Sequence, residues 1–233
     1  YLIDVIAVLA TLFGLATSLG FGAMQFSTGL SEYFALENSN TLQVISIIGI
    51  TLIATASVVT GLNKGLKYLS NVNIIIALVV FFFVLFLGST VRLIDGFVES
   101  LGTYLTEFVE LSFYRNLHET SDDWFTSWSM FYWVWWISWS PFVGTFVARI
   151  SKGRTIREIA IYGLIVPSLF SFLWMSVLGG TALNLQLDGG LDIASIVAQD
   201  SSMGLFKMLE TLPIYQISAF LCIVLVGTFF ITS

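Results

Sequence analysis

The chain has 233 residues, 57% hydrophobic and 10% charged, with a mean hydropathy of +0.91 and a formal charge of −6. A soluble domain of this length carries about a quarter charged residues, so a water-soluble globule is excluded. Apolar stretches of roughly twenty residues are instead the signature of membrane-spanning helices, and the alternating ten-residue pattern of barrel strands is absent.

Six spans are predicted, at about 2–26, 41–62, 70–91, 126–148, 157–181 and 212–233, forming a single all-α transmembrane domain over 1–233. The first carries small residues four apart, Ala10, Gly14, Ser18 and Gly22, on one face, where helix backbones approach closely without a hydrophobic drive. Thr11 and Thr17 add hydroxyls that bond back to the preceding turn or offer oxygens to a sodium ion. The third span contains the unbroken apolar run Ile74–Leu87. Between 95 and 113, Phe97, Leu101, Tyr104, Phe108 and Leu111 recur at four, three, four and three. That spacing predicts an amphipathic helix on the outer membrane surface, a packed connector or an oligomer contact.

The fourth span is the informative one. Between Trp124 and Trp139 lie six of the seven tryptophans, far more than a membrane-interface belt requires. Indole faces attract cations, above all quaternary ammonium groups that have no proton to donate. Trp135 shares a face with Trp139 and Phe142, and Trp133 with Trp136. Trp124 and Trp128 read as outer-interface anchors. Pro141 removes a backbone bond and frees the carbonyl near Ile137, which suggests the irregular helix that lines transporter sites. Farther on, a Gly- and Asp-rich stretch from Asp188 to Glu210 encloses Ile193–Ala198, and a short external helix or hairpin is expected there.

Charge sets the orientation. Lys64 and Lys67 follow the second span, and Arg149, Lys152, Arg154 and Arg157 follow the fourth against the single Glu158. The positive-inside rule places 63–69 and 149–156 in the cytoplasm and the acidic loops 27–40, 92–125 and 182–211 outside, in a multi-pass protein of the cell membrane. The acidity is that of an outer face and implies no nucleic-acid partner. Cys222, the only cysteine, lies in an apolar helix, so no disulfide framework exists. The one histidine, His118, lies in an outer loop, and no phosphate loop or Cys/His cluster argues for an enzyme. A channel would want a polar or charged pore ring. The chain opens and stops within apolar helices, as expected of a fragment of a longer protein.

The stretch Phe131–Gly144 continuing into Ala148–Glu158, with Ala16–Gln25, Ser57–Gly65 and Phe229–Ser233, resembles the betaine/choline/carnitine transporter family over the whole chain. The resemblance implies a partial LeuT-like bundle of five-plus-five inverted repeats, our six spans being the fifth to tenth of the parent. It implies uptake of a quaternary ammonium solute such as glycine betaine, choline or carnitine, by sodium symport, in an osmoprotective homotrimer joined through the external amphipathic helix. Trp136 would be the tryptophan of the substrate box, with Trp135 and Trp139 along the path and Trp133 assigned with them. Phe229, Thr232 and Ser233 would serve one sodium site, and Thr11 and Phe142 a second. Here Thr11 is followed four residues later by Leu15, which cannot coordinate an ion. Sodium-independent exchange is the alternative within the family, and no Lys or Arg lies in the first or last span to replace the ion. No cofactor and no metal other than sodium is implied.

Overall fold

The structure, a computed structural model, describes residues 1–59, 63–114 and 124–232. Ser233, His118 and the 60–62 end of the second span lie outside the described residues, as do Glu119, Asp122 and Asp123. The chain runs α1 Leu2–Phe34, α2 Asn40–Val59, α3 Asn63–Leu87, α4 Thr90–Phe113, α5 Phe131–Ile150, α6 Ile156–Ala160, α7 Val166–Leu187, α8 Ile193–Gln199, α9 Met203–Glu210 and α10 Tyr215–Thr232. Single π-helical turns, Phe125–Met130 and Ile161–Ile165, lead into α5 and α7. Among the described residues there is no strand.

Four helical stretches are long and apolar enough to cross a membrane, Leu2–Phe34, Lys67–Leu87, Ile156–Leu187 and Tyr215–Thr232. The apolar helix Asn40–Ala56 is slightly shorter. The 20-residue α5 falls outside that set because its tryptophans, serines and Pro141 lower its hydropathy. Those residue types suit an interface or a lined site better than a lipid-filled interior.

Helix ends depart from hydropathy ends for physical reasons. The first helix continues eight residues past the expected 26, to Phe34. Its polar end Ser27–Glu32 is not lipid-compatible, yet Gly29 sits under the ring of Phe206 and the Cγ1 methylene of Ile223, and Leu30 and Tyr33 join the core. At 33 residues it is about 50 Å long, well over the roughly 30 Å hydrocarbon thickness. The segment expected as a loop at 63–69 is the first turns of α3, and the amphipathic helix expected at 95–113 is α4, which starts five residues earlier, at Thr90. Asp188–Glu210 is a helical hairpin, α8 and α9, as anticipated, with Asp192 capping α8 through Ser195 N–H at 3.2 Å. That bonding to Ser195, side chain and backbone, holds the Asp192 carboxyl below its ordinary value.

The described chain forms two compact units. Tyr1–Ser18 and Glu99–Ser171 make up the first, and Leu19–Val98 and Phe172–Ser233 the second. The second holds the buried core: Val80, Val84, Leu93, Val177, Phe206, Met208, Leu209, Ala219 and Cys222. There α10 packs on α3, α2 and α9. A polar knot fastens the hairpin to the C-terminal part of α1. Thr28 Oγ1 lies 2.7 Å from Ser202 Oγ, Asn38 Nδ2 donates to Thr28 at 3.1 Å, and Gln25 Nε2 donates to the Ser202 carbonyl at 3.3 Å. Lys207 adds an ion pair with Glu32 at 2.7 Å. In the first unit, a turn closed at Gly153 (φ 83°) requires the left-handed backbone that glycine tolerates. Thr155 and Glu158 then form a reciprocal capping box that starts α6.

Candidate functional site

In the first unit the tryptophan helix packs on α1 through the small-residue face. A Cβ on Gly14 would come within 2.6 Å of Trp139 Cδ1, so only glycine admits that ring. One turn on, Ser18 Oγ accepts the indole N–H of Trp135 at 3.1 Å and that of Trp139 at 3.1 Å, and donates to the Gly14 carbonyl at 3.1 Å. A serine hydroxyl has one proton and two lone pairs, so this oxygen is saturated. With their N–H groups tied to one atom, the two rings are fixed in orientation, and the faces of their π-systems are the groups left to act. Trp139 also meets Phe142 edge-on at 5.4 Å, and Trp135 meets Tyr132 edge-on at 5.6 Å.

Trp133 and Trp136 point elsewhere, 67% and 56% exposed. They line a groove of about 530 Å³ with Trp124, Trp128, Ser129 and Tyr132, within the size range of small-ligand sites. The four predicted substrate tryptophans therefore divide into a clamped pair and an open pair. Trp124 and Trp128, expected to stand apart as anchors, belong to the open groove. The signal for this was present: positions 124, 128, 132 and 136 recur at four, one helical face. Trp128 and Ser129 of the groove lie on the π turn Phe125–Met130.

Pro141 does not break α5, contrary to expectation; the helix runs unbroken from Phe131 to Ile150. The carbonyl of Ile137, deprived of its amide partner, accepts the Ser140 hydroxyl at 2.7 Å. That local replacement removes the cost of an orphan carbonyl and with it the reason to unwind.

The candidate ion ligands also divide. Thr11 and Phe142 lie in the first unit, where Thr11 Oγ1 donates to the Ala7 carbonyl at 2.8 Å and keeps its lone pairs. The Phe142 carbonyl accepts Thr145 Oγ1 at 2.8 Å. Phe229 and Thr232 lie in the second unit. Thr232 Oγ1 is within 3.0 Å of the Thr228 carbonyl and 3.1 Å of the Phe229 carbonyl, and it accepts the Asn73 amide N–H at 3.1 Å. Ser18 and Asn73 are two residues that sequence reasoning passed over and that bond to candidate residues, Ser18 to Trp135 and Trp139 and Asn73 to Thr232. Ser18 was read only as a packing residue, although its place four residues after Gly14 put it on the same face. Asn73 follows Asn71 and Val72 at the head of the apolar run Ile74–Leu87.

Several long apolar helices, their hydroxyls and amides paired within and between helices, and a dense indole cluster are those of an all-helical, multi-pass membrane protein. The chain belongs to the betaine/carnitine/choline transporter family: the sequence pattern described as BCCT, betaine/carnitine/choline family transporter, matches residues 1–233. It is 42% identical over 232 residues to the glycine betaine transporter OpuD of Bacillus subtilis, 99% of this chain and 45% of that one. It is 42% identical over 233 residues to a glycine betaine/proline/choline transporter of Vibrio parahaemolyticus, 100% of this chain and 41% of that one. Over 235 residues it is 40% identical to the osmo-independent choline transporter BetT1 of Acinetobacter baylyi, 100% of this chain and 45% of that one. The chain thus spans under half the length of these relatives. The family is one of transporters, in line with the expectation that the chain is not an enzyme.

Proposed function

We propose that the full-length protein takes up small quaternary ammonium solutes, glycine betaine or choline among them, by sodium symport. The observation that carries this reading is the pair of indoles, Trp135 and Trp139, locked on Ser18 within a chain that matches the transporter family from end to end. Trp136 and Trp133 supply the open faces. A quaternary ammonium desolvated against indole gains about 2 kcal/mol per well-placed ring. A primary amine in the same box leaves N–H donors unbonded, a penalty that selects against it.

Sodium is assigned to the Thr232, Phe229 and Ser233 set. Leu15 strips the Thr11 and Phe142 set of a second hydroxyl, so a single coupling ion is proposed. The absence of Lys or Arg from α1 and α10 favours symport over sodium-independent exchange. We place the fragment as helices five to ten of a LeuT-like inverted-repeat bundle, with 63–69 and 149–156 cytoplasmic and 27–40, 92–125 and 182–211 external. The apolar residues exposed along α4, among them Val91, Val98, Leu105 and Val109, suit the proposed trimer contact.

Titrating the full-length protein with glycine betaine and with glycine while following tryptophan emission tests the site. Saturable quenching by glycine betaine, with glycine far weaker, is the expected result. Equal responses to both would remove the ammonium box.

A further inference from the structure

Asn73 sits in α3 between Val72 and the run Ile74-Ile75-Ile76, and it is only 6% exposed. A buried carboxamide in a membrane helix is costly unless its polar atoms are paired. Both ends are paired, and both with α10. Nδ2 donates to Thr232 Oγ1 at 3.1 Å, and Thr228 Oγ1 donates to Oδ1. Thr228 and Thr232 are one turn apart and share a face, so one amide reads two successive hydroxyls of the neighbouring helix.

We propose that Asn73 is a positioning residue of the sodium site, setting the orientation of the Thr232 hydroxyl before the ion arrives. The inference rests on the symport reading above and goes beyond it. A threonine hydroxyl has one proton and two lone pairs. The Thr232 proton is directed to the carbonyls of Thr228 or Phe229, at 3.0 and 3.1 Å. The Asn73 N–H takes one lone pair, and the other is left for a cation. Threonine in a helix otherwise divides between two side-chain rotamers, and the N–H from α3 selects one of them. Thr228 completes the device. Its one proton is within reach of both the Val224 carbonyl, at 2.6 Å, and the amide oxygen; given to the amide oxygen, it keeps the N–H end of Asn73 facing Thr232. A reversed amide would present a carbonyl that captures the Thr232 proton and turns the oxygen's lone pairs away.

Sodium activation of glycine betaine uptake, measured on the full-length protein in proteoliposomes, tests this in wild type, Asn73→Leu and Thr228→Val. Both variants are expected to raise half-saturating sodium about fivefold, the effect of losing one neutral hydrogen bond. Half-saturating betaine at saturating sodium and the maximal rate per folded transporter stay unchanged, which a merely structural defect would not allow. Thr228→Val keeps side-chain shape and decides the question should Asn73→Leu fail to fold. Sodium-dependent wild type with an unmoved sodium curve in a folded variant overturns the positioning role alone. Sodium-blind uptake by wild type overturns the symport reading and this inference together.

Discussion

The indole nitrogen of Trp139 lies 3.1 Å from Ser18 Oγ, and the edge of the same ring fills the space over Gly14. One residue thus fixes the ring by a hydrogen bond and its neighbour, a turn earlier, by having no side chain. Trp135 donates to the same oxygen. The orientation of two indoles therefore depends on a single hydroxyl.

Ser18→Ala keeps the space and removes the acceptor. Each stranded N–H costs about 1–3 kcal/mol where water is excluded. Half-saturating glycine betaine should rise about tenfold in uptake by the full-length protein, a loss of roughly 1.4 kcal/mol. An unchanged concentration dependence would mean that the clamp does not orient the binding faces.

Gly20 and Gly22 give a paired test of packing. Nothing lies within 4 Å of a Cβ built on Gly20, whereas one on Gly22 meets the Phe230 ring at 2.2 Å. An aromatic ring held in place cannot yield by that much. Gly22→Ala should lower the melting temperature through overpacking of about 1–3 kcal/mol. Gly20→Ala should leave it equal or raise it, since alanine favours a helix interior over glycine by about 0.5–1 kcal/mol. Thermal unfolding in detergent ranks the two variants, and the opposite order would contradict the packing of α1 on α10.

Lys207 ties the α8–α9 hairpin to α1. Its hydrogen bond to Glu32 raises the ammonium above its ordinary value, burial opposes that shift, and Glu210 at 3.3 Å assists. A raised lysine contributes stability that is complete below its unfolded value and lost as pH rises through the folded one. The attachment should therefore be constant across neutral pH and weaken only in strong alkali. Lys207→Met should speed amide hydrogen exchange in α9 and at the C-terminal end of α1 at neutral pH. Exchange unchanged there would mean that the polar knot at Thr28 and Ser202 suffices.

Much of the architecture was legible because membrane helices are written in hydropathy, and the amphipathic period at Phe97–Leu111 marked α4. Hydropathy reports where lipid ends rather than where a helix ends. Gly29 and Tyr33 carry α1 past its apolar segment because they pack on protein. The candidate tryptophans were visible as a cluster, but their partition was not. Whether Trp135 or Trp136 meets α1 depends on helix rotation, fixed by Ser18 more than a hundred residues away in sequence. Pro141 misled for a local reason: Ser140 supplies the donor that proline lacks, and one hydroxyl keeps the helix intact. Asn73 escaped notice because its partners, Thr228 and Thr232, become neighbours only when α3 packs on α10.

Uptake of labelled glycine betaine by the full-length protein in proteoliposomes, with and without a sodium gradient and in Trp136→Ala beside wild type, tests the central claim most directly. Saturable, sodium-driven uptake is expected, with half-saturation raised about thirtyfold in Trp136→Ala, the equivalent of losing roughly 2 kcal/mol of cation–π attraction. Linear flux that ignores sodium and survives Trp136→Ala would contradict it.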